Sequence, residues 1–364
     1  MRQVILVGCD LHDDSLVLRV SVGAEAPVLK KFGNNRVART NMLRDLRALA
    51  QRHSAERIVF AYEASGLGFT LHDELCQAGL ECHVLAPSKL PNSAHHRKRK
   101  SDPQDALRVL PVLKAHELAG TDLPAVWIPS LQLRDDRELV RARLEIADKL
   151  TRAKTQIQSL LKRNGITRPQ EMSSWTLWHW EWLNELAYCE ELSGGPGLAA
   201  GTRRALLKLL REVGWFERER ERLDLSLERL AEQPRYATQI RALVEVRGVG
   251  RLTALVFLTE LGDVRRFQNR GQLGSYLGLV PTCFESGKSH DRKGHITRGG
   301  SARVRKVLCQ AVWSQIRWDE ELRAVYQRIC AKNPKKNNIG VVALMRRLGI
   351  RLWHRACDAL ALAA

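Results

Sequence analysis

The chain has 364 residues, with 59 Lys and Arg against 40 Asp and Glu and a formal charge of +19. That excess points to a polyanion, most simply nucleic acid; a merely soluble basic protein is the alternative. No apolar run approaches the roughly 18 residues of a membrane span, the N-terminal MRQVILVGCDLHDD turns acidic too soon for a signal peptide, and the eight scattered cysteines contain no C-x-x-C pair of the kind that holds zinc. A reduced, cytoplasmic protein is expected.

Strand and helix signals alternate through the first hundred residues. RQVILVGC (2–9) is a compact apolar run with Val and Ile and reads as a buried strand. DSLVLRVSV (14–22) alternates as a second strand would, and PVLKKF (27–32) supplies a third. NMLRDLRALAQRH (41–53) has helical spacing, and ERIVFAYEAS (56–65) is a fourth strand. FTLHDELCQAG (69–79) is a helix closed by Gly79, and ECHVLAP (81–87) is a fifth strand. Three strands at hairpin distance, then strand–helix–strand–helix, match the order of a ribonuclease H-like mixed sheet with helical cover.

The segment RKRKSDPQDALR (97–108) follows, in which Arg97, Lys98, Arg99 and Lys100 run into Asp102 and Asp105. Alone, the two aspartates are a good helix start, with Asp102 as N-cap, Pro103 at N1 and Asp105 near the positive end of the dipole. Two distant acids change that reading. Asp10 follows the first strand and Glu63 the fourth, so a sheet of this order gathers them at one edge, while Asp102 and Asp105 share a helix face. Four carboxylates in one place repel one another unless divalent cations neutralise them, and oxygen ligands suit Mg²⁺ (or Mn²⁺). Two such ions near a phosphodiester stabilise the attacking and leaving oxygens. The four cations would contact phosphates on the approach.

From about residue 130 the texture changes. Leu139, Ala142, Ile146, Leu150, Ala153, Ile157 and Leu160 fall at alternating three- and four-residue steps, as in a coiled-coil seam; a plain amphipathic helix on the same domain accounts for the same spacing. Asn164-Gly165 ends that helix, and a second charged helix over roughly 202–232 is expected to pair back on it. Between them, Trp175, Trp178, Trp180 and Trp182 read as a packing anchor at a helix tip or interface, with base stacking as the alternative. The third region opens with IRALVEVRGVGRLTALVFLTELGDVRRF (240–267), a helix, a tight turn and a helix. Gly248 and Gly250 in that turn resemble a helix-hairpin-helix, whose backbone N–H groups hold a DNA phosphate; a plain glycine-bearing αα-turn accounts for the same residues.

The motifs resemble one family over nearly the whole chain. Asp10 after VILVGC, Glu63 in YEAS and the SDPQDA box look like the DEDD acids of RuvC-like transposases of the insertion-sequence one-ten family, related to the Piv-type DNA invertases. Further on, YLGLVP, SGKS and KGHITRGG before a basic helix resemble that family's transposase signature; members often show Gly-Asn where Gly299-Gly300-Ser301 stands here. The resemblance implies an α/β plus mostly α chain: an RNase H-like domain (1–125), a helical coiled-coil domain (126–235) and a mainly helical transposase domain (236–364). It implies a DNA recombinase in which Ser286 attacks DNA with metal assistance, forms a phosphoserine link and religates after strand exchange. Ser289 and Ser301 are rivals for that role. A serine hydroxyl needs activation, and the pentacoordinate phosphate needs positive charge, which Lys288, Arg292, Lys293, Arg298, Arg303 and Arg305 offer. Donor and target DNA, a noncoding bridge RNA and a homo-oligomer (dimer or tetramer) in contact through the 139–160 seam complete the implied assembly. Two other readings use the same residues: a metal-dependent junction-resolving nuclease with water as nucleophile, and a noncatalytic nucleic-acid-binding protein.

Overall fold

The computed structural model describes residues 3–23, 25–90, 102–189, 191–192, 195–196, 198–283, 293–332 and 337–362; for 102–107, 191–192, 195–196, 283 and 293 the backbone alone is described. The chain forms two compact units, Met1–Ile128 and Pro129–Ala364.

In the first unit, five strands form one sheet in the order β3-β2-β1-β4-β5. They are β1 (Val4–Leu11), β2 (Ser15–Val22), β3 (Val28–Gly33), β4 (Arg57–Glu63) and β5 (Glu81–Leu85). The first three are antiparallel neighbours, whereas β4 runs parallel to β1 and β5 parallel to β4. This is the RNase H-like mixed sheet that the strand order predicts. β1 runs two residues further than its apolar run: Asp10 lies inside the strand, opposite Val17 of β2. Backbone pairing across the hairpin carries the strand past the point where hydrophobicity stops. Helix α1 (Arg36–Arg52) likewise starts earlier than its apolar spacing suggests, because the Asn35 side chain accepts from Ala38 N and caps it.

Strand alternation gives the sheet two cores. Ile5, Val7, Cys9, Phe60 and Tyr62 face α1 and α2 (Thr70–Gln77), burying Met42, Leu46, Leu71 and Leu75. On the other face, Leu6, Val59, Ala61 and Leu85 pack on Val109, Leu110 and Leu113 of α3 (Asp102–Ala119). Helix α3 is thereby fixed to the face shared by even-numbered β1 residues and odd-numbered β4 residues.

The second unit begins with α4 (Leu131–Arg163), capped by Ser130. It pairs with α6 (Ala200–Ala231). Arg143 meets Asp224 and Lys154 meets Glu217, so the two helices are antiparallel. Ile146, Leu150, Ala153, Ile157 and Leu160 are buried, and from Leu150 onward they share a cluster with Leu206, Leu209, Leu210 and Val213 of α6. The seam expected at an oligomer contact is therefore filled within the chain itself. The helix tip carries α5 (Leu177–Tyr188) and a short hairpin, β6 (Glu191–Leu192) and β7 (Gly195–Pro196). Trp175, Trp180 and Trp182 pack against the same cluster, as an anchor should, while Trp178 is 52% exposed.

The rest of the unit is α7 (Pro234–Val244), α8 (Arg251–Leu261), α9 (Arg270–Tyr276), the hairpin β8 (Pro281–Cys283) and β9 (Lys293–Ile296), α10 (Ala302–Trp318), α11 (Glu320–Ala331) and α12 (Asn338–Ala361). Helix α8 is mostly apolar, and Ala254–Leu261, with Glu260 paired to Arg141, is buried without interruption at the centre of this core. Its base is tied by a buried carboxylate: Asp136 accepts from Arg235 Nε and Nη2 at 3.0 and 2.9 Å and from the Tyr236 hydroxyl at 2.8 Å. Burial, and then the bond to Asp136, push the Tyr236 phenol up, which keeps it a donor.

Candidate active site

Asp10 and Glu63 come together because β1 and β4 are parallel neighbours. Cys9 stands opposite Tyr62 in their register, so the next residues, Asp10 and Glu63, stand level at the open end of the two strands. Both belong to the α3 face, since Cys9 and Tyr62 point into the other core. Their side chains are 17% and 28% exposed, largely out of water and still reachable. The sequence places both acids just beyond their strands; the structure places them as the last residues but one and last of the strands, which fixes their separation more firmly than a loop would.

Two neighbours complete this corner. His12 Nε2 lies 2.9 Å from Asp10 Oδ2, and Arg108 Nη1 lies 3.7 Å from Glu63 Oε1. Neither residue has a role in the sequence reading. The one available signal for Arg108 is its place three residues after Asp105, hence one turn on along the same helix face. Beneath the acids, burial, then the charge of Asp10, push the Cys9 thiol up, so it is not a thiolate nucleophile.

Asp102 and Asp105 occupy the first turn of α3, which begins at Asp102 itself, one residue before the start that a capping Asp102 with Pro103 at N1 would give. The described part of α3 carries Arg108 to Glu63, so the helix approaches the corner from the side on which the acids lie. Among the described residues no group of three or more His, Cys, Asp or Glu gathers as a metal site. What is described is the carboxylate pair. Two level, partly exposed carboxylates with only oxygen donors fit a hard divalent cation such as Mg²⁺. Arg97, Lys98, Arg99 and Lys100 lie outside the described residues.

In the second unit Ser286, Lys288, Ser289 and Arg292 also lie outside the described residues, and only the backbone of Lys293 is described. β8 and β9 pair as a hairpin, and below it the chain crosses itself with almost no space between backbones. A Cβ on Gly300 would lie 1.8 Å from Tyr276 O, and one on Gly278 (φ +65) would lie 2.8 Å from the amides of Gly299 and Gly300. Arg305 Nη1 donates to Gly300 O at 2.7 Å and Leu277 O at 3.2 Å, so its guanidinium joins the two crossing strands. Burial, and then the charge of Arg298, hold Arg305 below the usual arginine range. Arg298, in the left-handed region at φ +54, and Arg303 are exposed beside it. Ser301 caps α10 by accepting from Val304 N, which explains a serine at that position without a chemical role.

The turn before α8 is set by packing. Gly248 has φ +79, and a Cβ there would lie 2.9 Å from Ala311 O of α10. Gln315 Nε2 donates to Arg247 O, and Arg247 Nη1 donates to Trp318 O. Gly250, the N-cap of α8, is exposed, with open space where a Cβ would stand.

An RNase H-like sheet that brings an aspartate and a glutamate level at its edge, ahead of a long helical unit, has the architecture of a DEDD transposase. Comparison with known proteins gives the same class. A DEDD transposase model of the IS110 group, described as "Transposase", matches residues 7–165, and the model described as "Transposase IS116/IS110/IS902 family" matches residues 240–327. The y4qE protein of Sinorhizobium fredii, itself named only provisionally as a transposase, is 28% identical over 329 residues, covering 84% of this chain and 76% of its own. The transposase for insertion sequence element IS1533 of Leptospira borgpetersenii is 23% identical over 319 residues, covering 86% of each chain. The transposase for insertion sequence element IS1111A of Coxiella burnetii is 28% identical over 299 residues, covering 78% of this chain and 69% of its own. The chain belongs to the IS110 family of transposases.

Proposed function

We propose that this transposase cuts and rejoins DNA through Ser286, with Asp10, Glu63, Asp102 and Asp105 holding Mg²⁺ (or Mn²⁺) and with a bridge RNA selecting the DNA partners. The observation that carries the reading is the level placement of Asp10 and Glu63 on the face covered by α3, the helix that opens with Asp102 and Asp105. A bound divalent cation would supply positive charge to the phosphate oxygens. The Ser286 oxygen forms an ester bond to phosphorus while a DNA hydroxyl leaves with a proton. A hydroxyl of the partner strand then attacks that ester and releases the serine. Each step exchanges one phosphate ester for another, so no external energy source is needed.

Around the serine, Lys288, Arg292, Lys293, Arg298 and Arg303 offer charge to the phosphate, while Arg305 holds the frame beneath it. The exposed Gly250 turn, with Gly248 packed behind it, presents backbone amides to a neighbouring phosphate. Arg97, Lys98, Arg99 and Lys100 approach the carboxylates in the same role. The division into RNase H-like (1–125), helical (126–235) and transposase (236–364) parts belongs to this reading, as does assembly into a dimer or tetramer that holds two duplexes. Since α6 fills the α4 seam, an assembly contact on this helix pair would use another of its faces. Sequence selection by RNA suits a protein whose cations are spread over several segments and meet backbone rather than base edges.

The test is to trap the protein on DNA and denature it. A covalent adduct that survives denaturation, and is lost in Ser286→Ala and restored by no other serine, is the expected result. Normal cleavage by Ser286→Ala would instead favour hydrolysis by water at the same carboxylates. A discrete RNA that copurifies with the protein tests the guidance.

A further inference from the structure

We propose that the tip of the second unit holds a phosphate-binding cavity, in which the His179 Nε2–H group, Lys162 and Arg168 take a phosphate of a nucleic-acid strand. The proposal needs neither the serine nor the metal of the reading above.

The cavity lies between the end of α4, the turn that follows it and the start of α5, and measures about 350 Å³. That falls within the roughly 300–1,000 Å³ of ligand sites. Its polar lining is Gln158, Lys162, Thr167, Arg168, Ser174 and His179, and no lining residue is acidic. His179 is the informative member, because it is only 3% exposed. Its Nδ1 accepts from the Trp175 amide at 2.9 Å, so the proton of the neutral ring sits on Nε2. Trp182 stacks on the ring and Trp175 meets it edge-on, which holds its orientation. The Nε2–H group has no hydrogen-bond partner among the described residues. A buried donor left so costs about 1–3 kcal/mol. A rigid, unmet donor on a cavity wall suits an acceptor from outside the chain, and the two cations beside it favour an anion over water.

Those cations have no other task in the fold. Lys162 and Arg168 are exposed and form no ion pair among the described residues. The end of α4 does not need them. The amides of Asn164, Gly165 and Ile166 and the Asn164 side chain already donate to the carbonyls of Leu160, Leu161 and Lys162. Burial, and then the charge of Arg168, lower the pKa of His179, so Arg168 stands near the ring and the ring keeps its neutral, donating form.

The neighbouring surface favours a strand over a free phosphate. On the α6 side of the same helix end, a second depression of about 670 Å³ is lined by Arg152, Ser159 and Arg163, again with no acid in its lining. Lys162 and Arg163 are successive residues that line different depressions. A chain of phosphates crossing the helix end therefore meets a cation on each side, whereas a single phosphate needs only the first.

The experiment follows binding of labelled duplex and single-stranded DNA to the full-length protein by anisotropy over a range of salt, with inorganic phosphate titrated separately by calorimetry. Lys162→Gln/Arg168→Gln should bind DNA about tenfold more weakly, the scale of one charge-assisted hydrogen bond. Its salt dependence should be shallower by about one phosphate contact, or about 0.9 in slope on duplex and 0.7 on a single strand. His179→Leu removes a donor and no charge, so it should weaken binding about threefold or more and leave the slope unchanged. A general electrostatic surface would respond to the first variant and not to the second. Unaltered DNA affinity in either variant would overturn the proposal. Phosphate binding that is lost in Lys162→Gln/Arg168→Gln while DNA binding stays intact would mean a free phosphate and not a strand. Should His179→Leu fail to fold, Thr167→Ala/Ser174→Ala decides: both positions are exposed, the charge is unchanged, and full DNA affinity in that variant would sink the cavity as a contact.

Discussion

His179 shows how one residue at the bundle tip ties the second unit to pH. It is buried, with its ring at 5.1 Å from Trp175 and stacked at 5.7 Å on Trp182. The Trp175 amide donates to His179 Nδ1 at 2.9 Å, so that nitrogen must be bare and the ring neutral. Trp175 itself sits at φ +66, a conformation this bond helps to hold. Burial, and then the charge of Arg168, lower the pKa of His179 in the fold. A folded pKa below the unfolded value means that the unfolded chain binds the extra proton first. The contribution is then complete above the unfolded value of about 6.5 and is lost as pH falls towards the folded value. Urea unfolding followed by tryptophan fluorescence should show an unfolding free energy that falls between pH 7.5 and 5, by no more than about 1.4 kcal/mol per pH unit, the limit for one proton. In His179→Gln the midpoint should start lower and the extra slope should be gone; an unchanged slope would mean that another group titrates.

The hairpin β8–β9 and its crossing show what an element needs that its own residues do not announce. A methyl group on Gly300 would overlap Tyr276 O, so the two strands of backbone would have to separate. Separation would also pull Arg305 away from the Leu277 and Gly300 carbonyls. Gly300→Ala should therefore destabilise the protein by about 2 kcal/mol or more, as overpacking against rigid backbone does. Gly299→Ala, where a Cβ meets nothing within 4 Å, should cost far less, and comparison of the two urea midpoints tests the crossing. This contact explains what was legible in the sequence and what was not. β1, β2, β4 and β5 could be read because apolar residues report burial locally, β3, with Val28 and Leu29 exposed, only from its hairpin distance to β2, and α4 and α6 because apolar spacing reports a face. The partner of that face could not be read, since a seam filled by the same chain and one filled by a second copy carry the same spacing. Gly300 read only as a departure from Gly-Asn, because its reason is an oxygen more than twenty residues away in sequence. Asp10 and Glu63 were legible as strand-end acids, whereas Arg108 was not, because the charge it answers stands on another element.

Across the whole molecule, the excess of 19 positive charges decides how the protein meets nucleic acid. Many cations are already committed inside the fold: Arg143 to Asp224, Lys154 to Glu217, Arg235 to Asp136 and Arg355 to Glu245. Such pairs use one acid for each cation, so they leave the excess intact for a polyanion. Where those free cations meet phosphates, each contact releases condensed counterions, and the logarithm of the association constant falls linearly with the logarithm of salt concentration, with a slope of about −0.9 per phosphate on duplex DNA. For six or more contacts, affinity for a duplex of unrelated sequence should drop at least about a thousandfold between 50 and 200 mM salt. Fluorescence anisotropy with a labelled duplex measures this directly. If backbone contact supplies the affinity, changing the base sequence should leave the slope unaltered, because phosphates are the same in every duplex. A slope near zero would mean that the net charge is not what holds the DNA, and a slope that changes with sequence would mean that the protein reads bases itself.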